Sequence, residues 1–229
     1  MSGAASPAEH NWPTTDPDGR PVGFTHRSPR PRPEEFEPVL RGTAVRLEPM
    51  RESHVEALCA VGLDPAVTRL TLQPIRTREQ MADFVRAALA ARQARSAIPF
   101  VTVLLDGGSP GTVVGTTRFL SIDPASRRME IGSTWIGLPW QRTRVNTEAK
   151  YLMLRHAFEV LGCLRIELKT DSLNVRSRAA LLRIGAVQEG IFRSHLITSE
   201  GRIRHSVYFA ITAEDWPAVR RRLEGLLSR

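Results

Sequence analysis

The sequence predicts a mixed α/β fold in which a mostly antiparallel sheet contains one parallel pair of strands. Residues 130–185 run as strand, turn, helix, strand and helix with short links, which implies parallel pairing through a right-handed crossover. Strand-like runs at 98–105 and 112–121 flank a Gly-rich turn, and runs at 187–195 and 202–211 flank another turn. These two hairpins supply the antiparallel strands of the predicted sheet.

Composition favours one folded domain behind a tail. The chain has 229 residues, and 41% of them are hydrophobic, which is enough for a sizeable core. Residues 1–38 carry half of the 16 prolines and few apolar positions, so we expect a disordered or loosely draped tail there. The alternative is an arm, anchored by Trp12 and Phe24, that covers an active site or pairs with another subunit. We expect residues 39–229 to form a single domain.

Net charge and cysteine content indicate which kinds of ligand and which cellular compartment suit this protein. A net charge of +8 would suit an anionic ligand, an acidic protein surface or nucleic acid. Only Lys150 and Lys169 are lysines, however, and codon composition also produces such an arginine skew. No zinc-type spacing or nucleic-acid module is evident. Cys59 and Cys163 lie in apolar surroundings, and no apolar run approaches the roughly 20 residues of a membrane span. We therefore expect a cytoplasmic protein without disulfides or membrane contact.

Local signals place the elements before the central unit. Residues 45–49 alternate as a first strand, and Ser53 is the expected cap of a short helix that stops at Gly62. Residues 77–80 contain a capping box for the next helix. We expect one apolar stripe of that helix in the core, formed by Met81, Phe84, Val85, Ala88 and Leu89.

The central unit contains a candidate anion site. A β-branched and aromatic run at 131–138 predicts a strand, and from about Asn146 apolar residues recur at helical spacing until Gly162. A helix N-terminus has unpaired N–H groups and a partial positive charge, so the loop that precedes it is suited to an anion. Arg142 and Arg144 in this loop could add to that property or could simply be solvated.

Short motifs follow one another in order from Glu130 to Arg193. They are Glu130-Ile131-Gly132, Trp135-Ile136, Pro139-Trp140-Gln141, Thr147-Glu148-Ala149, Ala157-Phe158, Leu161-Gly162, Arg165-Ile166-Glu167, Asn174 with Ser177, Ile184-Gly185-Ala186, Glu189-Gly190 and Arg193. This set resembles the GCN5-related N-acetyltransferase (GNAT) family, and more narrowly the branch that includes the ribosomal-protein N-terminal acetyltransferases. The resemblance implies a GNAT-like sheet with helices on both faces and a β-α-β unit that binds coenzyme A (CoA).

The resemblance also implies a reaction, the transfer of an acetyl group from acetyl-CoA to a primary amine by direct attack in a ternary complex, without a metal. The acceptor would be a protein N-terminus or a small amine, and the enzyme a monomer or homodimer. One departure lies in the phosphate loop, where Arg144 and Asn146 replace the small residues of the family. Arg144 could crowd the pyrophosphate or add a charged contact. A non-catalytic CoA-binding module is therefore an alternative, and a basic nucleic-acid-binding protein is a third.

The resemblance assigns a set of residues to the donor side of the site. Ser177 would protonate the leaving thiolate, although Ser177 and Asn174 also fit the ordinary role of helix caps. The residues implied to hold CoA are Trp135, Ile136, Gly137, Leu138, Gln141, Arg142, Thr143, Arg144, Val145, Asn146, Thr147 and Asn174.

On the acceptor side, Glu130 is the favoured general base, and we expect it to be in phase with Gly132, Thr134 and Ile136 along its strand. The alternative is a surface glutamate paired with an arginine. Three further residues would contact the acceptor, and the two histidines among them are rival bases because imidazole titrates near neutral pH. They are Arg193, which could instead pair with Glu189, His195 and His205.

Overall fold

An eight-stranded sheet forms the centre of the computed structural model, which describes residues 18, 37–106 and 110–228. Its strands are β1 (Leu40–Arg41), β2 (Val45–Pro49), β3 (Ala97–Leu104), β4 (Val113–Asp123), β5 (Arg128–Ile136), β6 (Arg165–Asp171), β7 (Val187–Ile197) and β8 (Ile203–Thr212). They lie in the order β1-β2-β3-β4-β5-β6-β8-β7, and β5 and β6 are the parallel pair within this mostly antiparallel sheet. The predicted mixed sheet is confirmed. The predicted tail, with Trp12 and Phe24, lies almost wholly outside the described residues.

Helices cover both faces of the sheet. They are α1 (Val55–Gly62), α2 (Pro65–Thr68), α3 (Arg78–Gln93), α4 (Arg144–Arg155), α5 (Val175–Ile184) and α6 (Trp216–Leu227). On the first side, which we call the α3 face, Leu58 and Met81 pack with Trp135. On the other side, the α4 face, Met153 and Val219 pack with the strands of the larger core. The central strands β3, β4 and β5 are thus buried between two hydrophobic layers, whereas β7 is largely exposed.

The parallel pairing of β5 with β6 is short. Arg128–Glu130 pairs with Arg165–Glu167, and the two strands no longer pair beyond these residues. Their carboxyl-terminal halves therefore leave an opening in the sheet, which we call the β5–β6 gap. Ligands of open α/β sheets bind where neighbouring strands part in this way.

A β-bulge at Ser133 changes which side of the sheet β5 presents. Across from it, Thr116 and Arg118 pair with Trp135 and Gly132, so β5 holds one extra residue. Ser133 has a φ of 48°, in the left-handed region that non-glycine residues rarely adopt. Glu130 and Gly132 lie on the α3 face, whereas Thr134 and Ile136 lie on the α4 face. The expectation that all four residues share one phase is therefore wrong, because periodicity cannot show an inserted residue.

Two helix starts also differ from the sequence prediction. α4 begins at Arg144 rather than near Asn146, because the Thr143 hydroxyl accepts the Val145 N–H and caps the first turn. Ser53 does not cap α1, since it lies inside a 3-10 turn, Glu52–His54, that runs into this helix. The two-residue strand β1 was also not predicted, because two residues are too short to show a period.

Glu148 holds the start of α4 against the first strands of the sheet. Its buried carboxylate accepts four hydrogen bonds at 2.7–3.0 Å, from the N–H groups of Thr43, Ala44 and Val45 and from the Thr43 hydroxyl. A Cβ at Gly42 would lie 2.5 Å from the Glu148 carboxyl carbon, so only glycine fits there. The helix that follows the candidate anion loop is therefore fixed to a segment about 100 residues earlier in the chain.

Candidate functional site

The loop between β5 and α4 is held by its own side chains. Gln141 donates from Nε2 to the Ile136 carbonyl at 2.8 Å, and its Oε1 accepts from Arg176 Nη1 at 2.8 Å. Arg142 adopts the left-handed conformation with a φ of 63°. A left-handed residue before a helix N-terminus turns successive N–H groups toward one point, a geometry suited to an anion. The predicted donor residues 135–138 and 141–147 thus form one continuous segment at the carboxyl end of β5.

The side chain of Arg144 leaves this loop. It forms an ion pair with Asp106 at the tip of the β3–β4 hairpin. Its backbone N–H belongs to the first turn of α4, where the N–H groups have no partner within the helix. Asn146 follows in the same turn, and its Oδ1 is buried without a hydrogen-bond partner among the described residues. The charged side chain therefore does not occupy the space above the helix N-terminus.

Asn174 and Ser177 lie in the first turn of α5, next to the loop. Asn174 is the helix cap, since its Oδ1 accepts the Ser177 N–H at 3.0 Å. The cap uses the backbone of Ser177, so its hydroxyl is not needed for that role. Arg176, between them, carries the contact to Gln141. The structure thus brings the predicted Asn174 and Ser177 beside the other predicted donor residues.

Glu130 lies at the base of the β5–β6 gap on the α3 face. It is only 4% exposed, and its Oε2 lies 2.8 Å from Lys169 Nζ on β6. Burial raises the pKa of the Glu130 carboxyl, while the bond to Lys169 opposes that rise. The alternative of a surface glutamate paired with an arginine is wrong, because the residue is buried and its partner is a lysine. A buried carboxyl with a raised pKa is suited to proton transfer.

A polar strip continues from Lys169 across β8 to β7. His195 Nδ1 lies 3.0 Å from the Ser206 hydroxyl, which also accepts from Arg204 Nε at 3.1 Å. The Tyr208 ring lies edge-on to His195 with the centroids 5.7 Å apart. The pKa of His195 is lowered by partial desolvation and by the charges of Lys169 and Arg204. His195 is therefore on the same side of the sheet as Glu130, and these neighbours favour its neutral form.

The other two predicted acceptor residues do not join this strip. His205 Nδ1 accepts the Ser194 N–H at 2.7 Å, and its side chain alternates away from Arg204 and Ser206 along β8. Arg193 does not pair with Glu189, because the Glu189 carboxylate receives Arg165 instead. That part of the prediction is wrong. Of the three, His195 alone belongs to the polar strip that begins at Lys169.

Comparison with known proteins identifies the family. Residues 44–187 match a family model described as an acetyltransferase (GNAT) domain, which is more than half of the chain. The chain belongs to the GNAT acetyltransferase family. The family predicted from the motif set is therefore confirmed.

Two relatives of this GNAT protein carry names of the expected branch, and a third carries only the family name. A curated relative, "Putative ribosomal N-acetyltransferase YdaF" of Bacillus subtilis, is 29% identical over 106 residues, which cover 46% of this chain and only 57% of that protein. A GCN5-related N-acetyltransferase of Brucella melitensis is 30% identical, with a TM-score of 0.77 and coverage of 86% and 89%. RimJ of Mycobacterium smegmatis, solved with CoA-disulfide, is 25% identical, with a TM-score of 0.67 and coverage of 83% and 93%.

The GNAT domain contains a buried lysine that the sequence analysis missed. Lys150 on α4 donates to the Thr134 hydroxyl at 2.8 Å and to the Thr117 hydroxyl at 3.4 Å, and no carboxylate of the described residues forms an ion pair with it. Complete burial lowers the pKa of Lys150 to about 7. A signal did exist, since Lys150 lies three and seven residues before Met153 and Ala157 on the buried stripe of the helix.

Clusters of metal ligands and membrane-spanning helices are both absent from the described residues. No group of three or more His, Cys, Asp or Glu side chains in 37–106 and 110–228 could hold a metal ion. No helix in the part of the chain that the structure describes is long and apolar enough to cross a bilayer. Cys59 and Cys163 are both free thiols.

Proposed function

We propose that this GNAT protein transfers the acetyl group of acetyl-CoA to a primary amine by direct attack in a ternary complex. The observation that carries the proposal is the position of Glu130. Its buried carboxylate lies where β5 and β6 part and contacts Lys169, at which the polar strip begins. The loop suited to phosphate follows the carboxyl end of the same strand. Both halves of the reaction would thus meet at one carboxylate.

The donor half would use backbone groups more than side chains. The N–H groups from Arg142 to Thr147 would bind the pyrophosphate, and the free edge of β5 beyond Glu130 would bind the pantetheine arm. The acyl thioester supplies an electrophilic carbonyl and a thiolate leaving group. Asn146 Oδ1, buried and unpaired among the described residues, fits this proposal because a buried acceptor requires a donor from a ligand or from water.

Glu130 would accept the proton that the attacking amine loses. An amine attacks only in its neutral form, so a base whose pKa is raised toward the working pH is effective. The Lys169 ammonium, 2.8 Å away, favours the ionised carboxylate and so opposes the effect of burial on its pKa. Ser177 is the proposed proton donor to the thiolate, since its hydroxyl is not used by the helix cap.

The acceptor is proposed to be a protein N-terminus or a small amine. The names of the YdaF and RimJ relatives favour the first, and the polar strip beside Glu130 supports an acceptor that approaches across the α3 face. We assign His195 to the acceptor side, while Arg193 and His205 remain proposals that rest on the sequence alone. Free thiols at Cys59 and Cys163 agree with a proposed cytoplasmic location.

The proposal is tested by two measurements on the full chain. CoA should raise the melting temperature, because a ligand that binds only the folded state stabilises it. Acetyl-CoA with a panel of peptides and small amines should then release free thiol, and mass spectrometry should show a product heavier by one acetyl group. A protein that binds CoA but acetylates no member of the panel would instead be the non-catalytic module.

A further inference from the structure

Arg118 on β4 presents an unpaired edge of its guanidinium group. Its Nε and Nη2 atoms are both buried and have no hydrogen-bond partner among the described residues. These two nitrogens point their N–H groups in one direction, and this is the edge with which arginine holds a carboxylate by two parallel bonds. Burial lowers the pKa of Arg118 to about 10, so the side chain is still charged at neutral pH. A buried charge with a free bidentate edge requires a partner.

A second unpaired donor lies in the same cluster. Trp135 Nε1 on β5 is also buried without a partner in the described part of the chain. Both residues contact Phe84 of α3, because the Arg118 Cζ lies 4.7 Å from the Phe84 ring centroid and the Trp135 ring lies 6.3 Å from it. Buried donors are rarely left unsatisfied in folded proteins. Two of them around one aromatic ring indicate an acceptor oxygen supplied from outside the described residues.

The cluster is adjacent to the candidate base. Arg118 pairs directly with Gly132, so both face the same side of the sheet. The Glu130 carboxylate leans over Gly132, since a Cβ built on that glycine would lie 2.7 Å from Glu130 Oε1. Because Leu120 pairs with Glu130 in the same register, Arg118 and Glu130 are diagonal neighbours on the α3 face. Because Gly132 has no side chain, the Glu130 carboxylate can lie over it.

We propose that Arg118, with Trp135 beside it, binds a carboxylate of the acceptor, so that the enzyme acts on amines that also carry a nearby carboxylate. The inference rests on the proposed function, because it assumes that the acceptor amine is at Glu130. A planar monoanion fits the bidentate edge and the apolar walls of Phe84 and Trp135. A dianionic phosphate would place a second negative charge next to Glu130, which is less favourable.

Matched acceptor pairs test the proposal. Each pair consists of a carboxylate-bearing amine, such as an amino acid or a peptide with an acidic first side chain, and the same molecule with a carboxamide. The wild type should prefer the carboxylate member at least tenfold in kcat/KM, and Arg118→Met should abolish that preference while the KM for acetyl-CoA changes by less than about threefold. The matched control is Arg86→Met, because Arg86 on α3 is exposed and paired with Asp83. Equal use of both members by the wild type would overturn the inference but not the proposed function.

Thermal unfolding provides a second test that does not depend on an active acceptor. If Arg118 is an anion site that is empty in the free protein, its unpaired buried charge destabilises the fold. Arg118→Met should then raise the melting temperature by about 2–4 °C. If Arg118 only packs on Phe84, the same change should lower the melting temperature, which would overturn the inference. If no amine at all releases thiol, the proposed function fails, and this measurement still decides whether Arg118 is an unfilled anion site.

Discussion

Lys169 Nζ lies 2.8 Å from Glu130 Oε2, just past the last residues at which β5 and β6 are still paired. The pair joins the two strands that border the gap, and both side chains are largely buried. Burial raises the pKa of the Glu130 carboxyl, while the Lys169 ammonium favours the ionised form. This balance is what a general base requires near neutral pH.

Glu130→Gln should remove the base while it keeps the shape of the side chain. We expect kcat/KM for the amine to fall by about 10²–10⁴-fold, with little change in CoA affinity, because positioned general bases contribute about this much. Steady-state thiol release and CoA titration measure the two quantities. Glu167→Gln is the matched control, since Glu167 lies opposite Glu130 on β6 and pairs with Arg128 and Arg165. A loss of less than about threefold at Glu130 would mean that another group takes the proton.

Lys169→Met should move the acidic limb of the pH–rate profile to higher pH. The wild-type limb should lie above the ordinary glutamate value of 4.5, because burial raises the pKa of Glu130. Without the ammonium, the carboxylate is less stable, its pKa rises further, and a smaller fraction is ionised at a given pH. The profile of kcat/KM against pH checks this shift. Arg128→Met serves as the control, and an unmoved limb in Lys169→Met would show that the limb does not report Glu130.

Lys150→Met should stabilise the protein most at and below neutral pH. The pKa of Lys150 is about 7 in the folded state, against 10.5 when exposed. Between these two pH values Lys150 is protonated in the unfolded chain but neutral in the folded protein. The free energy of unfolding of the wild type therefore rises by about 1.4 kcal/mol per pH unit because of Lys150. The variant lacks this slope, and its advantage of a few kcal/mol near pH 7 should fade as the pH approaches 10.

Urea unfolding from pH 6 to 10 measures the difference. Lys169→Met is the natural comparison, because Lys169 is the other lysine of the chain and has a carboxylate partner. If Lys150→Met is less stable than the wild type at pH 7, then its ammonium is needed by the Thr134 and Thr117 hydroxyls, and the buried charge is not a cost to the fold.

Arg144→Ala should change CoA affinity by less than about threefold. The side chain is occupied by Asp106 on an exposed surface, and such ion pairs contribute little. The phosphate loop would still present its backbone N–H groups. Isothermal titration with CoA measures this affinity. The variants Asp106→Ala and Arg144→Ala/Asp106→Ala complete a double-mutant cycle for the ion pair. A tenfold weakening in Arg144→Ala would show that the arginine changes partner when CoA binds, and a tenfold tightening would show that it obstructs the loop.

Much of the fold could be predicted from the sequence because its signals are local. Alternation predicted the hairpins, and the capping box at Thr77 and Gln80 is present as predicted. The donor loop also followed from local order along the chain. The features that could not be predicted depend on contacts between residues far apart in the chain. One example is the Glu148 carboxylate, which accepts hydrogen bonds from Ala44 and Val45 more than 100 residues away. Lys150 and Arg118 were missed for the same reason, since a charged residue at one position does not reveal what surrounds it.

The extra residue at Ser133 has one more consequence. The extra residue shifts the alternation of side chains along β5. As a result, the Glu130 carboxyl lies on the α3 face, whereas the Thr134 hydroxyl lies on the α4 face and contacts Lys150. Deletion of Ser133 would turn one half of the strand over, and either the acid or the hydroxyl would change sides. The chemistry of the site thus depends on the count of residues between these two side chains as much as on their identity.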